Sequence, residues 1–334
     1  MRLTLGEVET LADEALRAAG ASALQAGPVA RSIRDAEAEG TRGIGLGYLP
    51  WYCRHLRVGK IAGDAVPAVT QPRPGTVAVE AGGGFAHPAF LAGEGSLVEA
   101  ARANGVAVLG VSGAYACGVL GWFTDRLARE GLVALMFANA SSTMAPWGGR
   151  TPFFGTNPWS LAAPRAGDPL VIDSSSSATA FVNLATAAAA GRALPAGWAL
   201  DAEGRPTTDP EAGLKGSIAP AGGHKGGALA LAVEVLAGIA GARWSFEAPS
   251  LGDDEGGPPR LGQTFLALDP AAFGPGFAER LDGMLRAMLS QDGVRLPGER
   301  RHASRARALH EGVEVSGAEA ATLSSLLGRP AGAA

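Results

Sequence analysis

Hydrophobic residues at helical spacing open the chain. Val8 and Leu11 belong to a run of apolar residues that recur every three or four positions, and Thr4 followed by Glu7 matches a capping box. This pattern predicts an amphipathic helix over residues 4–20.

A second amphipathic helix is predicted to begin near Pro28, because proline suits the first turn of a helix. Val29 and Ile33 fall on its apolar side, and Arg31 and Arg34 fall on the opposite side. A glycine-rich segment then breaks the pattern, and its composition suits a close approach of the backbone to a ligand or to another segment.

Short β-rich runs alternate with helical stretches in the rest of the chain. The predicted strands are 76–79, 106–111, 132–137, 159–162, 170–172 and 264–268, and the predicted helices are 91–103, 119–130, an alanine-rich helix after residue 177 and an apolar helix from about residue 228. Such alternation is typical of an α/β layer architecture.

Composition and charge narrow the class of protein. The chain has 334 residues, enough for two domains, and its 28 Lys and Arg against 32 Asp and Glu exclude a basic nucleic-acid footprint. The charged fraction of 18% is low, which indicates surface buried against a partner. Two cysteines without a CxxC pair, no signal-peptide core and no apolar run of membrane-spanning length predict a cytoplasmic protein without a membrane partner.

Standard signatures for metals and nucleotides are missing. The five histidines (His55, His87, His224, His302 and His310) are too widely spaced for a local metal motif, so no metal site is predicted. The sequence lacks G-x-G-x-x-G after a strand, a P-loop and a G-x-S-x-G elbow. The arginines between Arg300 and Arg307 are interpreted as a solvated basic stretch, with contact to a cofactor phosphate as the alternative.

Three segments are richer in glycine and polar residues than packing requires. They are 148–158, which ends in Gly-Thr-Asn-Pro, 171–177, where a strand runs into one aspartate and four serines, and 222–227, which reads Gly-Gly-His-Lys-Gly-Gly. The third leads into the apolar helix, so backbone N–H groups and Lys225 form a plausible phosphate cradle.

Taken in order, these segments and the motifs at 145–149, 195–201 and 207–210 resemble the type 2 malate/L-lactate dehydrogenase family, which includes sulfolactate and ureidoglycolate dehydrogenases and cyclic imino-acid reductases. The resemblance implies a non-Rossmann, sulfolactate-dehydrogenase-like α/β fold with a mixed sheet and N-terminal helices. It also implies NADPH or NADH as cofactor, a small-molecule substrate and a homodimer. Residues 1–118, completed by 285–334, would form the substrate and dimerisation domain, and 119–284 the NAD(P)-binding domain.

The resemblance also assigns candidate cofactor contacts, with Thr156 and Asn157 close to the substrate. The cofactor candidates are Ser174, Ser175, Ser176, Ser177, His224, Lys225, Gly226, Gly298, Glu299 and Arg300.

Two departures from the family pattern bear on the chemistry. Where the family has a Ser-His-Gly triplet with its proton donor, this chain has Ile44 between two glycines, and Tyr48 stands at the position of the arginine that clamps the substrate carboxylate. A second family histidine aligns with Ala116, beside Tyr115. Ketone reduction needs a positioned acid, whereas hydride addition to a cyclic iminium leaves a neutral amine. The absence of both family histidines therefore favours reduction of Δ1-pyrroline-2-carboxylate or Δ1-piperideine-2-carboxylate to L-proline or L-pipecolate, with Ile44 beside the substrate.

Candidate roles follow for the remaining polar residues. Asp173 could stabilise the iminium, or simply cap a strand end. Arg42 or Arg54 could replace the carboxylate clamp, or be solvated surface residues. Tyr48 and Tyr115 could donate a hydrogen bond to the substrate or close over its ring, or belong to the core.

His87 is the one histidine that could serve as a displaced acid, with a structural role as the alternative. Two rival functions stay open. The first is a 2-hydroxy-acid dehydrogenase acting on malate, lactate or sulfolactate, in which Tyr48, Tyr115 or His87 has taken over proton transfer. The second is a cofactor-binding pseudoenzyme.

Overall fold

A computed structural model describes residues 1–329 of the chain. Its helices are α1 Leu5–Ala18, α2 Ala23–Ala38, α3 Leu49–Arg57, α4 Ala86–Asn104, α5 Gly121–Arg129, α6 Phe181–Ala189, α7 Pro210–Lys215, α8 His224–Ala237, α9 Phe277–Leu289, α10 Glu299–Glu311 and α11 Gly317–Leu326. Its strands are β1 Arg2–Leu3, β2 Ala68–Arg73, β3 Thr76–Glu80, β4 Val106–Ala114, β5 Val133–Ala138, β6 Trp159–Ala163, β7 Leu170–Ser174, β8 Ala199–Leu200, β9 Pro206–Thr207, β10 Ser217–Ile218, β11 Leu261–Leu268 and β12 Val313–Glu314.

The main sheet is mixed, and within residues 1–329 it has seven strands in the order β2-β3-β4-β11-β5-β6-β7. Strands β3 and β4 are parallel and are joined by α4, while the other neighbours are antiparallel. Strand β11, from late in the chain, lies at the centre, and Phe265 pairs with Leu109 on one side and Met136 on the other. This confirms the predicted α/β fold with a mixed sheet.

Alternating side chains explain why the sheet is covered on both faces. Leu109 and Phe265 point into a core that α4 and α5 complete with Phe90 and Phe123. On the opposite face the Thr264 hydroxyl donates to the Leu236 carbonyl oxygen of α8 at 2.7 Å. Helix α8 is therefore anchored directly on the sheet.

The N-terminal helices form a second core together with α11 and the short β1–β12 ladder. The predicted capping box is confirmed, since the Thr4 side chain accepts a hydrogen bond from the Glu7 amide. The predicted start of the second helix is wrong. Helix α2 begins at Ala23, because the Ser22 side chain caps it, and Pro28 lies inside the helix.

The interpretation of the C-terminal arginines as a solvated stretch holds for the exposed Arg300 and Arg307 and is wrong for Arg301 and Arg305. All four lie on α10, where Arg301 pairs with Asp173, and Arg305 pairs with Asp35 on α2 and with Glu39 just after it. Helix α10 thus joins the N-terminal helices to the end of β7. The division into domains at residue 118 stays a prediction, and the main sheet joins both predicted parts.

Within the described residues, every helix is too short or too polar to cross a lipid bilayer.

Candidate active site

The two segments that depart from the family pattern lie against each other. The turn Arg42–Ile44 precedes α3, and residues 115–118 follow β4. A Cβ atom added to Gly118 would lie 3.3 Å from Cγ2 of Ile44 and 3.5 Å from the hydroxyl of Tyr52. The loop after β4 therefore packs on Ile44, close to the hydroxyl of Tyr52.

Tyr48 and Tyr115 meet beside this contact. Tyr115 is fully buried, whereas Tyr48 at the start of α3 keeps part of its surface accessible. Burial is the main cause that raises the pKa of both phenols; the neighbouring Tyr115 opposes this shift at Tyr48, whereas Tyr48 adds to it at Tyr115. Tyr48 is consequently the phenol that is accessible and the easier of the two to ionise.

Asp173 borders the same loop from β7. Its Oδ2 atom accepts a hydrogen bond from the Gly121 amide at 2.9 Å, at the start of α5, and lies 3.5 Å from Nη1 of Arg301. Burial raises the pKa of Asp173, and the Gly121 amide and Arg301 partly offset that shift. The charge of Asp173 contributes to the raised pKa of Cys117, so the loop after β4 and the end of β7 are neighbours.

The candidate cofactor residues of three separate segments converge next to Asp173. The Ser175 hydroxyl and the Ser176 amide both donate to the Thr156 carbonyl oxygen at 3.0 Å. The Ala221 amide donates to the Ser176 carbonyl at 2.9 Å, and a Cβ at Gly226 would lie 2.8 Å from that same oxygen. Only glycine allows this close packing of α8 on the serine segment.

Other serine hydroxyls are directed inward. Ser176 donates its hydroxyl proton to the Asn157 carbonyl oxygen and Ser177 donates to that of Thr179, both at 2.7 Å, whereas Ser174 is exposed. The geometry therefore gives Ser176 and Ser177 a role in holding the loop.

Asn157, predicted to lie near the substrate, belongs to a buried polar cluster. Its backbone is in the left-handed region at φ 40°, and its side-chain amide donates to Glu234 at 2.6 Å and to the Ala230 carbonyl at 2.9 Å. Glu234 also accepts from the hydroxyl and the amide of Ser245. This geometry favours a structural role for Asn157, while the neighbouring Thr156 offers its carbonyl to the serine segment.

Gly298, Glu299 and Arg300 lie at the start of α10, next to β7. A Cβ at Gly298, whose φ is 87°, would lie 3.2 Å from the Val171 carbonyl oxygen. Glu299 accepts a hydrogen bond from the Leu296 amide, and the side chain of Arg300 is exposed. Arg301, the next residue, is the one that reaches Asp173.

Two other candidates have partners away from this convergence. Arg42 pairs with Glu37 at 3.1 Å and Glu319 at 3.0 Å, and Arg54 pairs with Asp254 at 2.6 Å. These pairs occupy the guanidinium groups that were considered for a carboxylate clamp.

His87 lies inside the aromatic core, with Trp122 and Phe123 at ring distances of 5.2 and 4.9 Å. Burial lowers the pKa of His87 to about 3, and within residues 1–329 neither ring nitrogen has a hydrogen-bond partner. This position favours packing over proton transfer.

Comparison with known proteins identifies the group to which this site belongs. The malate/L-lactate dehydrogenase family model matches residues 3–324. The chain belongs to this family. A (2R)-3-sulfolactate dehydrogenase (NADP+) from Chromohalobacter salexigens is 47% identical over 305 residues, which is 91% of each chain. A Δ1-pyrroline-2-carboxylate/Δ1-piperideine-2-carboxylate reductase from Pseudomonas putida is 38% identical over 332 residues, covering 98% of this chain and 97% of the relative.

A solved structure agrees with this assignment. The Δ1-piperideine-2-carboxylate reductase of Pseudomonas syringae pv. tomato has a TM-score of 0.93 at 36% identity, and the match covers 98% of this chain and 99% of that one. The family resemblance drawn from the sequence motifs is therefore confirmed. As a malate/L-lactate dehydrogenase family member the chain is an oxidoreductase, and its relatives divide between hydroxy-acid and imino-acid chemistry.

The first turn of α8 fits the phosphate groups of the dinucleotide that this family uses. The Gly227 amide donates to the Gly223 carbonyl, so the three preceding amides of His224, Lys225 and Gly226 have no acceptor within the helix. His224 and Lys225 are exposed at this positive helix end. The start of α8 therefore presents backbone donors and the Lys225 cation, which is the chemistry of an anion-binding helix end.

Sequence reasoning missed three residues of this arrangement. His55 contacts Tyr115, Arg301 contacts Asp173, and Glu234 holds Asn157. None belongs to a motif, because each meets its partner across more than 50 residues of chain. Only Glu234 gave a signal in the sequence, because it is a single carboxylate within a long apolar run.

Proposed function

We propose that this chain is an NAD(P)-dependent dehydrogenase of a small 2-hydroxy acid of the sulfolactate type, which interconverts the hydroxy acid and its 2-oxo acid. One observation carries the proposal: Tyr48, four residues after Ile44, keeps part of its surface accessible, whereas Tyr115 and His87 are fully buried. The 47% identity to a sulfolactate dehydrogenase supports it.

Tyr48 supplies what the missing histidines would otherwise supply. A reduced nicotinamide cofactor provides a hydride when bound, and the alkoxide that forms needs a proton from a positioned group. Tyr48 donates that proton, since Tyr115 is fully buried and His87 is enclosed by aromatic rings.

The cofactor in this proposal is NADPH, with NADH as the alternative. Lys225 and the free amides of His224 and Gly226 hold its phosphates, and Ser174 faces it from the end of β7. Asp173, held by the Gly121 amide at the start of α5, orients Arg301 of α10, and Arg301 attracts the anionic substrate. Ile44 forms an apolar wall of the substrate pocket.

The active form in this proposal is a homodimer. Helix α8 has an apolar outer face, on which Leu231, Val235 and Ile239 recur every four residues and are each more than half exposed. Trp147 and Trp244 flank the two ends of this face. An apolar surface of this kind on a cofactor-binding helix fits an interface with a second copy of the chain.

Reduction of a cyclic imino acid is the second candidate. It is supported by the apolar residues Ile44 and Ala116 at the family's histidine positions and by the 38% identity to imino-acid reductases. In that reaction Asp173 would stabilise the iminium charge, and Tyr48 would bind the carboxylate as a hydrogen-bond donor.

The test compares two substrate classes with the same purified protein. NADPH oxidation is followed with 3-sulfopyruvate, oxaloacetate and pyruvate, and separately with Δ1-pyrroline-2-carboxylate and Δ1-piperideine-2-carboxylate. We expect turnover of a 2-oxo acid, and we expect Tyr48→Phe to lower kcat by about 10²–10⁴-fold at unchanged NADPH affinity.

The other outcomes would support the alternative functions. Turnover of the imines alone, with an Asp173→Asn variant at least about tenfold slower, would establish the second candidate. Binding of NADPH without turnover of any of the five compounds would establish a pseudoenzyme.

A further inference from the structure

A buried carboxylate lies beneath the turn that precedes α3. Glu37 is near the end of α2, and its side chain has no exposed surface. Its Oε1 atom accepts a hydrogen bond from the Leu46 amide at 2.8 Å, and its Oε2 atom accepts one from Nε of Arg42 at 3.1 Å. Burial raises the pKa of Glu37, whereas the Leu46 amide and Arg42 lower it. Both ends of the turn over residues 42–46 are therefore bonded to one carboxylate.

We propose that Glu37 is a positioning residue, which fixes this turn and thereby places Ile44 and Tyr48 in the substrate pocket. The inference rests on the proposed function in one respect, namely that Ile44 and Tyr48 face the substrate, and it applies to a 2-oxo acid and to a cyclic imino acid alike. No motif of the chain identifies Glu37, because in the sequence it is one of several acidic residues on an amphipathic helix.

Backbone contacts carry the effect of Glu37 to both pocket residues. Ile44 lies between the two hydrogen bonds, and its amide donates to the Thr41 carbonyl oxygen at 3.0 Å. The Tyr48 amide donates to the Gly45 carbonyl oxygen, also at 3.0 Å. A Cβ atom at Gly45 would collide with the Glu37 carboxylate, so the backbone of the turn lies directly on that group. Moving the carboxylate therefore shifts the backbone from which both side chains project.

Removing the carboxylate would leave two donors without their acceptor. Leu46 is buried, and a buried amide that loses its acceptor recovers a partner only by moving toward water. Arg42 has a second partner, since its Nη2 atom donates to both carboxylate oxygens of Glu319, at 3.0 and 3.1 Å, in the first turn of α11. Without Glu37, we therefore expect the turn to come loose at its Leu46 end, next to Tyr48, while the Arg42 end stays attached to α11.

Two variants of Glu37 and one matched control test the proposal. Glu37→Ala removes both acceptor oxygens, whereas Glu37→Gln retains an amide oxygen for the Leu46 amide. The control Glu94→Ala removes a carboxylate that is bonded to Arg126 of α5 instead of to the turn. We measure kcat and KM with the substrate that wild type turns over, and NADPH affinity by fluorescence titration.

The Michaelis constant is the decisive quantity. We expect Glu37→Ala to raise KM about 10-fold at unchanged NADPH affinity, Glu37→Gln to stay within about threefold of wild type, and Glu94→Ala to match wild type. A purely structural role would reduce the amount of folded enzyme, and with it the apparent kcat, without changing KM. A wild-type KM in Glu37→Ala would overturn the positioning role.

A further variant disturbs the same contact from the side of the turn. Gly45→Ala places a methyl group against the Glu37 carboxylate without removing any hydrogen-bonding group. We expect it to raise KM as Glu37→Ala does, and it replaces Glu37→Ala in the test if that variant does not fold. A Gly45→Ala enzyme with the KM of wild type would contradict the proposal.

Hydrogen exchange gives a readout that does not depend on turnover. In wild type and Glu37→Gln, we expect the Leu46 amide to be protected from exchange with deuterated water, because a side-chain oxygen accepts its hydrogen bond. In Glu37→Ala it should exchange at least about 10-fold faster, while the amides of β4 keep their wild-type protection. Unchanged exchange at Leu46 in Glu37→Ala would refute the anchoring of the turn.

The two proposals fail in different ways. If none of the five compounds is turned over and Glu37→Ala still accelerates exchange at Leu46, the proposed function is wrong and the anchoring by Glu37 stands. If a 2-oxo acid is turned over and Tyr48→Phe is inactive, but Glu37→Ala matches wild type in KM and exchange, the proposed function stands and the role of Glu37 is refuted.

Discussion

At the scale of single residues, burial decides which titratable groups can take part in chemistry. His87 and His55 are both neutral and buried, yet His87 is surrounded by Trp122 and Phe123 whereas His55 meets a hydroxyl. The same physical cause lowers the pKa of both rings. The two buried rings therefore differ in whether a hydrogen-bonding neighbour is present, which the residue type does not show.

His87 makes the protein sensitive to acid. Its pKa is about 3 in the folded chain against 6.5 when exposed, so the unfolded state gains a proton below about pH 6.5 that the folded state refuses. The stability that depends on neutral His87 is fully present above that pH, and it falls as the pH drops toward 3. We expect the stability of His87→Leu relative to wild type to increase by about 2 kcal/mol between neutral pH and about pH 5, measured by urea unfolding.

An exposed histidine provides the control for this measurement. His310 lies on the surface of α10, and His310→Leu should keep the pH dependence of wild type. Parallel pH curves for His87→Leu and wild type would show that the buried ring contributes nothing to acid sensitivity.

At the scale of elements, one carboxylate ties α8 to the segment before β6 and to the loop that follows the helix. Glu234 accepts hydrogen bonds from Asn157 and from the Ser245 hydroxyl, both at 2.6 Å. Asn157 in turn holds an unfavourable left-handed backbone next to the serine segment. The position of the predicted phosphate cradle at the start of α8 therefore depends on contacts ten residues further along the helix.

Removing the Glu234 carboxylate should destabilise both the fold and the predicted phosphate cradle at the start of α8. We expect Glu234→Ala to lower the free energy of unfolding by about 3 kcal/mol, because several buried donors lose their acceptor, and to weaken NADPH binding. Glu234→Gln should lower the free energy of unfolding less, since its amide oxygen still accepts a hydrogen bond. Chemical denaturation and cofactor titration measure the two effects, with Glu99→Ala on the exposed face of α4 as control. Wild-type stability of Glu234→Ala would exclude this anchoring role.

At the scale of the whole molecule, the unusual feature is an apolar helix face at the surface. Helix α8 has charged side chains only at its first turn and at the buried Glu234, so its outer face has no polar residue facing water. Ile239, just beyond its end, is 65% exposed. Burying such a face stabilises association by about 25 cal/mol per Å² of apolar surface removed from water.

A charge in the centre of that face should prevent association. We expect wild type to run as a dimer in size-exclusion chromatography with light scattering, and Val235→Asp to run as a monomer with unchanged circular dichroism. Phe273→Asp, at a position 84% exposed on a different surface, is the matched control and should remain dimeric. A monomeric wild type, or a dimeric Val235→Asp, would refute this interface.

Local patterns predicted most elements of the fold, because periodicity and capping act within a few residues. The first helix with its Thr4 cap and the strand at β3 follow directly from such patterns. The local pattern did not predict α3, because glycines precede it. It did not predict α10 either, because that helix is rich in arginine and its stabilising partners Asp35 and Asp173 come from distant segments.

By itself the sequence determined the family, the α/β class and the segments where cofactor and substrate were predicted, because these depend on motifs whose residues are close together in the chain. Only the tertiary structure decided which polar residues meet. It enclosed His87 and Asn157 in packed surroundings and brought His55 to Tyr115 across 60 residues. Burial and hydrogen bonding between distant segments set pKa and accessibility, and neither property is encoded in the local pattern of the chain.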